Sequence, residues 1–118
     1  YNIGMKTSNI IKQVNKNGGA TLTSNLNNNR LKGGYMVSLR GYERRYKKMG
    51  ACFIKALDKY KALAKSLNAY VGLWVDNGLV YLDLSINVKD KEKAIKKGID
   101  NKQLAIYNIG DGSYIRLA

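Results

Sequence analysis

The stretch YVGLWVDNGLVYLDLS, residues 70–85, decides the fold class. Two arms rich in β-forming residues flank the pair Asn77-Gly78, which suits the tight primed turn of a β-hairpin. If Asp76 pairs with Leu79 across this turn, one face of the hairpin is entirely apolar, because successive residues of a strand point to opposite faces. The apolar face consists of Val71, Leu73, Val75, Val80, Leu82 and Leu84. The sequence therefore predicts a hairpin with one face in the core.

The second face of this hairpin carries an aromatic pair, Trp74 opposite Tyr81 in the same register. Gly72 lies opposite Asp83 and leaves room beside its carboxylate, which we interpret as a hydrogen-bonded or salt-bridged strand residue and not as a catalytic acid. The hairpin contains no lysine or arginine, so charge gives no reason to place a binding site there. We therefore interpret Trp74 and Tyr81 as a structural cross-strand pair, in preference to a stacking platform.

The main helix is predicted over residues 51–68, where apolar residues recur at intervals of three and four. We expect its apolar stripe, which includes Phe53 and Leu67, to pack on the aliphatic face of the hairpin. Thr7 or Ser8 is placed to cap a short first helix, and Asp90 to cap a later one with Ala94, Ile95 and Ile99 inward. Two strands are predicted over residues 20–24 and 35–40, joined as an open hairpin. A last hairpin is predicted from strands over residues 103–109 and 113–117. Residues 40–50 are predicted as a loop or a short helical turn.

These elements define an α+β fold, in which an antiparallel sheet of β-hairpins packs with one main amphipathic helix and two shorter ones. At 118 residues the chain fits one small domain. We predict a single domain over residues 1–118 and interpret residues 1–4 as upstream sequence. There is no apolar run of the roughly 20 residues that a membrane span needs, and we expect no membrane association.

The strongest global signal is the net charge of +13. Residues 1–59 hold 12 Lys and Arg against 2 acidic residues, whereas residues 60–118 hold 9 against 6. A basic surplus of this kind attracts polyanions, above all nucleic acids. Histidine is absent and Cys52 is the one cysteine, which disfavours histidine-assisted nucleophilic catalysis and cysteine zinc sites. We predict no catalytic residue, no cofactor and no metal.

The best candidate site is LRGYERRYKK, residues 39–48, where five cations surround a single acid and two tyrosines are interleaved. Arginine binds phosphates in a bidentate fashion and tyrosine stacks on bases, so the combination suits nucleic acid. The alternative is a solvated loop in which the tyrosines anchor the backbone to the core. With two cations of the preceding loop, the candidate binding residues are Arg30, Lys32, Arg40, Tyr42, Arg44, Arg45, Tyr46, Lys47 and Lys48.

Four motifs in this order, NGGATL, GGYMVSLRGYE, VGLWVDNGLVYLDLS and NKQLAIYN, resemble a family of small domains of phages and other mobile elements. The resemblance covers residues 16–108 and carries no catalytic residue with it. It implies a phage protein acting in the cytoplasm of a bacterial host cell. By context it also implies a counter-defence role, such as that of anti-CRISPR inhibitors that bind a nuclease, its guide RNA or its DNA channel.

The leading hypothesis is a binding protein without chemistry of its own, whose basic N-terminal half engages DNA, RNA or a host nucleoprotein such as a defence nuclease. A second hypothesis is a small histidine-free ribonuclease that uses Tyr42, Arg44, Arg45 and Tyr46. A third is a structural virion or oligomerisation domain, because several short strands leave exposed edges that favour self-association.

Overall fold

The computed structural model describes residues 4–118. The prediction that residues 1–4 are upstream sequence falls, except for Gly4, outside the described residues. Over residues 4–118 the chain forms three helices and seven strands, and the strands pair antiparallel, which confirms the α+β class. The helices are α1 Thr7–Asn17, α2 Ala51–Leu67 and α3 Lys91–Asp100, and the strands are β1 Gly19–Leu22, β2 Tyr35–Ser38, β3 Arg44–Tyr46, β4 Tyr70–Asp76, β5 Leu79–Val88, β6 Ala105–Asn108 and β7 Tyr114–Arg116.

The described chain divides into two compact units. The first unit contains residues 4–29 together with Tyr42–Leu84, and the second contains Arg30–Gly41 together with Ser85–Ala118. Strand β5 is long enough to contribute its first part to one unit and its last part to the other. That the whole chain is one domain stays a prediction.

The sheet of the first unit has the strand order β1-β4-β5-β3. Its centre is the predicted hairpin, since β4 ends at Asp76 and β5 begins at Leu79. The two residues between them, Asn77 and Gly78, have φ angles of 50° and 76°. Positive φ at both central residues is what a primed turn requires, and Asn-Gly adopts it at low cost. The predicted hairpin is therefore confirmed, and the stacking of Trp74 on Tyr81 agrees with its register.

The aliphatic face of this hairpin forms the core of the first unit, with Val71, Leu73, Val80, Leu82 and Leu84 at most 5% exposed. Helix α2 packs on this face. Its Phe53 contacts the ring of Tyr46, and Tyr46 pairs with Val80 across the strands, so it projects to the same side as Val80. Two residues predicted to be buried are each 40% exposed: Val75, next to the turn, and Leu67, the last residue of α2. Both lie at the end of their element.

Helix α1 does not have the predicted cap. Its N-cap is Lys6, with no side-chain hydrogen bond, and the Lys6 carbonyl accepts from the N–H groups of Asn9 and Ile10. The N-cap thus lies one residue before Thr7 and two before Ser8, and both of these side chains lie within the first turn of the helix. Its buried face consists of Ile10 and Val14, as the spacing predicts.

The predicted open hairpin of residues 20–24 and 35–40 is wrong. Strand β1 pairs with β4, and β2 pairs with β5 and β6. The cause lies in the Asn-rich segment, which folds back on β1 at once: Leu22 forms a bridge with Asn28, and the N–H of Leu26 donates to the Thr23 carbonyl. This tight local loop provides hydrogen-bond partners for the outer edge of β1, so β1 does not pair with β2.

The second unit has the strand order β5-β2-β6-β7 and carries α3. Its core consists of Val37, Ala94 and Ile106, each at most 1% exposed. Asp90 caps α3 as predicted, because its Oδ2 accepts from the Lys93 N–H at 2.9 Å. The last hairpin, β6 with β7, is also confirmed. Ile99, predicted to point inward, is 55% exposed, since it falls outside the Ala94 stripe of this helix.

Candidate nucleic-acid interface

The two units divide the predicted binding residues. Arg30, Lys32 and Arg40 belong to the second unit, whereas the segment from Tyr42 to Lys48 belongs to the first. The basic surplus is divided as well: the first unit holds 11 Lys and Arg against 4 acidic residues, and the second holds 10 against 4. The excess that the sequence concentrates in its N-terminal half is therefore shared almost equally once the chain has folded.

In the first unit, part of the predicted loop is a strand. Residues 44–46 form β3, which pairs with β5 in the register Arg44 with Leu82, Arg45 with Tyr81 and Tyr46 with Val80. Cross-strand partners project to the same face of a sheet. Arg44 and Tyr46 therefore lie on the aliphatic side, whereas Arg45 lies on the side of Trp74 and Tyr81. Both arginines are exposed, as are Lys47 and Lys48 in the bend that follows.

The two tyrosines of this segment hold it to the rest of the first unit. The Tyr46 ring meets Phe53 edge to face, with ring centroids 5.6 Å apart and planes at 80°. The carbonyl of Tyr42 accepts a hydrogen bond from the hydroxyl of Tyr60 on α2. Burial raises the pKa of the Tyr60 phenol, although the nearby Arg44 opposes the shift, so this hydroxyl stays protonated as a donor. The tyrosines thus anchor a segment whose cations are presented to solvent.

Arg44 forms a hydrogen bond within its own segment. Its guanidinium donates a hydrogen bond of 2.8 Å to the backbone carbonyl of Glu43. Arg45, Lys47 and Lys48 are therefore the clearer candidates for contacts with phosphates. Glu43 is the one acidic residue between residues 42 and 50.

The aromatic face of the first unit brings four residues into one row across the four strands. Gly19 of β1 pairs with Trp74 of β4, Trp74 stacks on Tyr81 of β5, and Tyr81 pairs with Arg45 of β3. The Trp74 and Tyr81 rings have centroids 5.0 Å apart and planes within 3° of parallel. The predicted cross-strand pair is confirmed, and both rings remain partly exposed.

The neighbouring row on this face contains the buried carboxylate. Asp83 is 6% exposed, and its Oδ1 lies 2.2 Å from the position that a Cβ of Gly72 would take. Gly72 thus makes the space for Asp83, as the hairpin register predicts. Thr21 of β1 pairs with Gly72 and completes the row towards the outer strand.

Sequence reasoning missed a second basic feature of the first unit. An open concavity of about 560 Å³ lies between α1 and β1. Lys12 and Lys16 line it with amide side chains, among them Gln13, whose Nε2 donates to Asn28 Oδ1 at 2.6 Å. The spacing of the two lysines, four residues apart on one helix, was the available signal. The full lining is Lys12, Gln13, Lys16, Asn17, Thr21, Asn28 and Asn29.

In the second unit, Arg30, Lys32 and Arg40 are all exposed. Arg40 is fixed through its backbone, because its N–H donates to Asn101 Oδ1 at 3.0 Å. The role of these three cations in binding stays a prediction.

Comparison with known proteins adds no assignment: no protein-family model matches the chain, and neither a curated protein nor a solved structure shows significant similarity to it. Within residues 4–118 no cluster of three or more His, Cys, Asp or Glu residues could hold a metal ion. None of the helices in this described part is long and apolar enough to cross a membrane.

Proposed function

We propose that this protein binds nucleic acid through the first unit, using the exposed cations of β3 and of the bend that follows it. One observation carries the proposal: Arg45 lies in register with Tyr81, on the same face as the Trp74–Tyr81 stack. The pairing places Arg45 next to Tyr81, in one row with the Trp74–Tyr81 stack, and both rings are partly exposed. Nucleic acids present phosphates and flat bases together, and both groups find a partner on this face.

The charge of the first unit supports the same function. Its excess of 7 positive charges attracts a polyanion over roughly the Debye length of 8–10 Å at physiological salt. Arg45, Lys47 and Lys48 then contact phosphates, and the release of counterions provides much of the affinity. The anchors at Tyr46 and Tyr42 limit the entropy that the segment loses on binding.

The counter-defence role remains part of the proposal as its biological context. A defence nuclease that carries guide RNA or target DNA presents nucleic acid on its surface, and the same basic face suits such a partner. Binding to free nucleic acid is the simpler property and is tested first.

The test compares two triple variants that lose the same number of positive charges. Arg45→Gln, Lys47→Gln and Lys48→Gln alter the proposed surface, whereas Lys93→Gln, Lys96→Gln and Lys97→Gln alter exposed residues of α3. Fluorescence anisotropy with labelled single-stranded DNA and RNA measures the dissociation constant of each variant. We expect the first variant to bind at least about tenfold more weakly than wild type, and the second to change by less than about threefold.

Circular dichroism establishes that both variants fold, which is expected because all six side chains are exposed. Equal losses in the two variants would mean that affinity follows net charge alone, and the β3 surface would lose its assignment. Absence of binding by the wild-type protein at low salt would overturn the proposal altogether.

A further inference from the structure

In the row Gly19–Trp74–Tyr81–Arg45, Trp74 has an aromatic partner on one side and a glycine on the other. One ring face of Trp74 contacts Tyr81, as the 5.0 Å centroid distance and the parallel planes show. The opposite side of the ring faces β1, where the cross-strand partner is Gly19. Glycine has no side chain, so nothing from this partner covers the ring. Trp74 accordingly remains partly exposed.

Gly19 itself is required by the close approach of two strands. A Cβ at this position would lie 2.6 Å from the carbonyl oxygen of Leu73 and 3.3 Å from Trp74 Cβ. Backbone cannot yield to such a contact without moving the strand. The close approach explains the glycine, and the space beside the tryptophan ring is its consequence.

We propose that this space is a base-stacking subsite, in which the open side of Trp74 receives one unpaired nucleobase above Gly19. The inference rests on the proposed function and narrows its substrate class to single-stranded nucleic acid. A base in a duplex is stacked on both sides and cannot enter between a side chain and a neighbouring strand, whereas an unpaired base can. Stacking on an aromatic ring tolerates any base, so sequence preference is weak.

The surroundings of Trp74 suit the phosphates on either side of such a base. Arg45 lies at one end of the row, next to Tyr81. At the other end lies β1, and its Thr21, two residues from Gly19 and therefore on the same face, lines the concavity that holds Lys12 and Lys16. A single strand that crosses the row thus has cations available at both of its ends.

The experiment uses the intrinsic fluorescence of the wild-type protein, because Trp74 is the one tryptophan of the chain. Three probes of equal length are titrated: an oligothymidine strand, a strand with abasic sites throughout, and a blunt duplex. Tryptophan emission reports stacking at residue 74, and the anisotropy of an end label reports binding of each probe. All are measured at one low salt concentration.

We expect oligothymidine to bind and to quench the emission of Trp74. The abasic strand, which keeps the phosphates, should bind about tenfold more weakly without quenching, because it lacks the base that stacks. The duplex should not quench. Equal binding by oligothymidine and the abasic strand, with emission unchanged, would overturn the subsite and leave the proposed function intact. Quenching by the duplex as strong as by oligothymidine would also overturn it, and no binding of any probe would overturn both proposals.

Discussion

At the scale of single residues, the aromatic face of the first unit depends on two glycines. Because glycine has no Cβ, Gly19 leaves room for the Leu73 carbonyl, and Gly72 leaves room for the Asp83 carboxylate. The register of one hairpin suffices to predict the second contact, because Gly72 and Asp83 lie on its two arms. The first contact joins β1 to β4 across about fifty residues of sequence, and no local pattern predicts which strand approaches so closely.

Replacing Gly72 by alanine tests the packing of Asp83. The new Cβ would lie 2.2 Å from Asp83 Oδ1, and the buried carboxylate has to move. We expect Gly72→Ala to lower the free energy of unfolding by about 1–3 kcal/mol, as overpacking usually does. Gly33→Ala is the matched control, since nothing lies within 4 Å of its Cβ position. Urea denaturation measures both variants; equal stabilities would contradict the close contact.

At the scale of elements, the sequence predicts best what depends on local pattern. Helix α2 and the central hairpin have strong periodicity or a specific turn, and both are present where expected. Strand β3 has neither, because its three residues are charged or aromatic and gain their extended form from pairing with β5. The partners of β1 and β2 likewise depend on tertiary pairing, which is why the predicted open hairpin failed.

The caps of α1 and α3 give a direct comparison of two predicted N-termini. Asp90 accepts the Lys93 N–H, whereas Ser8 lies inside the first turn of α1 and caps nothing. We expect Asp90→Ala to destabilise the protein by about 1 kcal/mol, and Ser8→Ala to change stability by less than about 0.5 kcal/mol. Thermal and urea unfolding measure both. A loss in Ser8→Ala as large as that in Asp90→Ala would contradict the observed start of α1.

At the scale of the whole molecule, the sequence predicts a basic binding protein but not how its cations are arranged. Composition establishes the charge of +13. The RGYERRYKK segment contains Arg45, Lys47 and Lys48, the exposed cations of the proposed surface. The sequence predicts the Trp74–Tyr81 pair but does not show that Arg45 joins it in one row, since this depends on the pairing of β3 with β5. A motif interpreted as purely structural thereby becomes part of the candidate site.

The dependence of binding on salt tests the central claim most directly. For single-stranded DNA, each phosphate neutralised contributes roughly −0.7 to the slope of log K against log salt concentration. We expect a steep negative slope for the wild-type protein. The variant with Arg45→Gln, Lys47→Gln and Lys48→Gln should have a slope shallower by about 2, because three contacts are lost. A wild-type slope near zero, or an unchanged slope in this variant, would contradict binding of nucleic acid by the β3 surface.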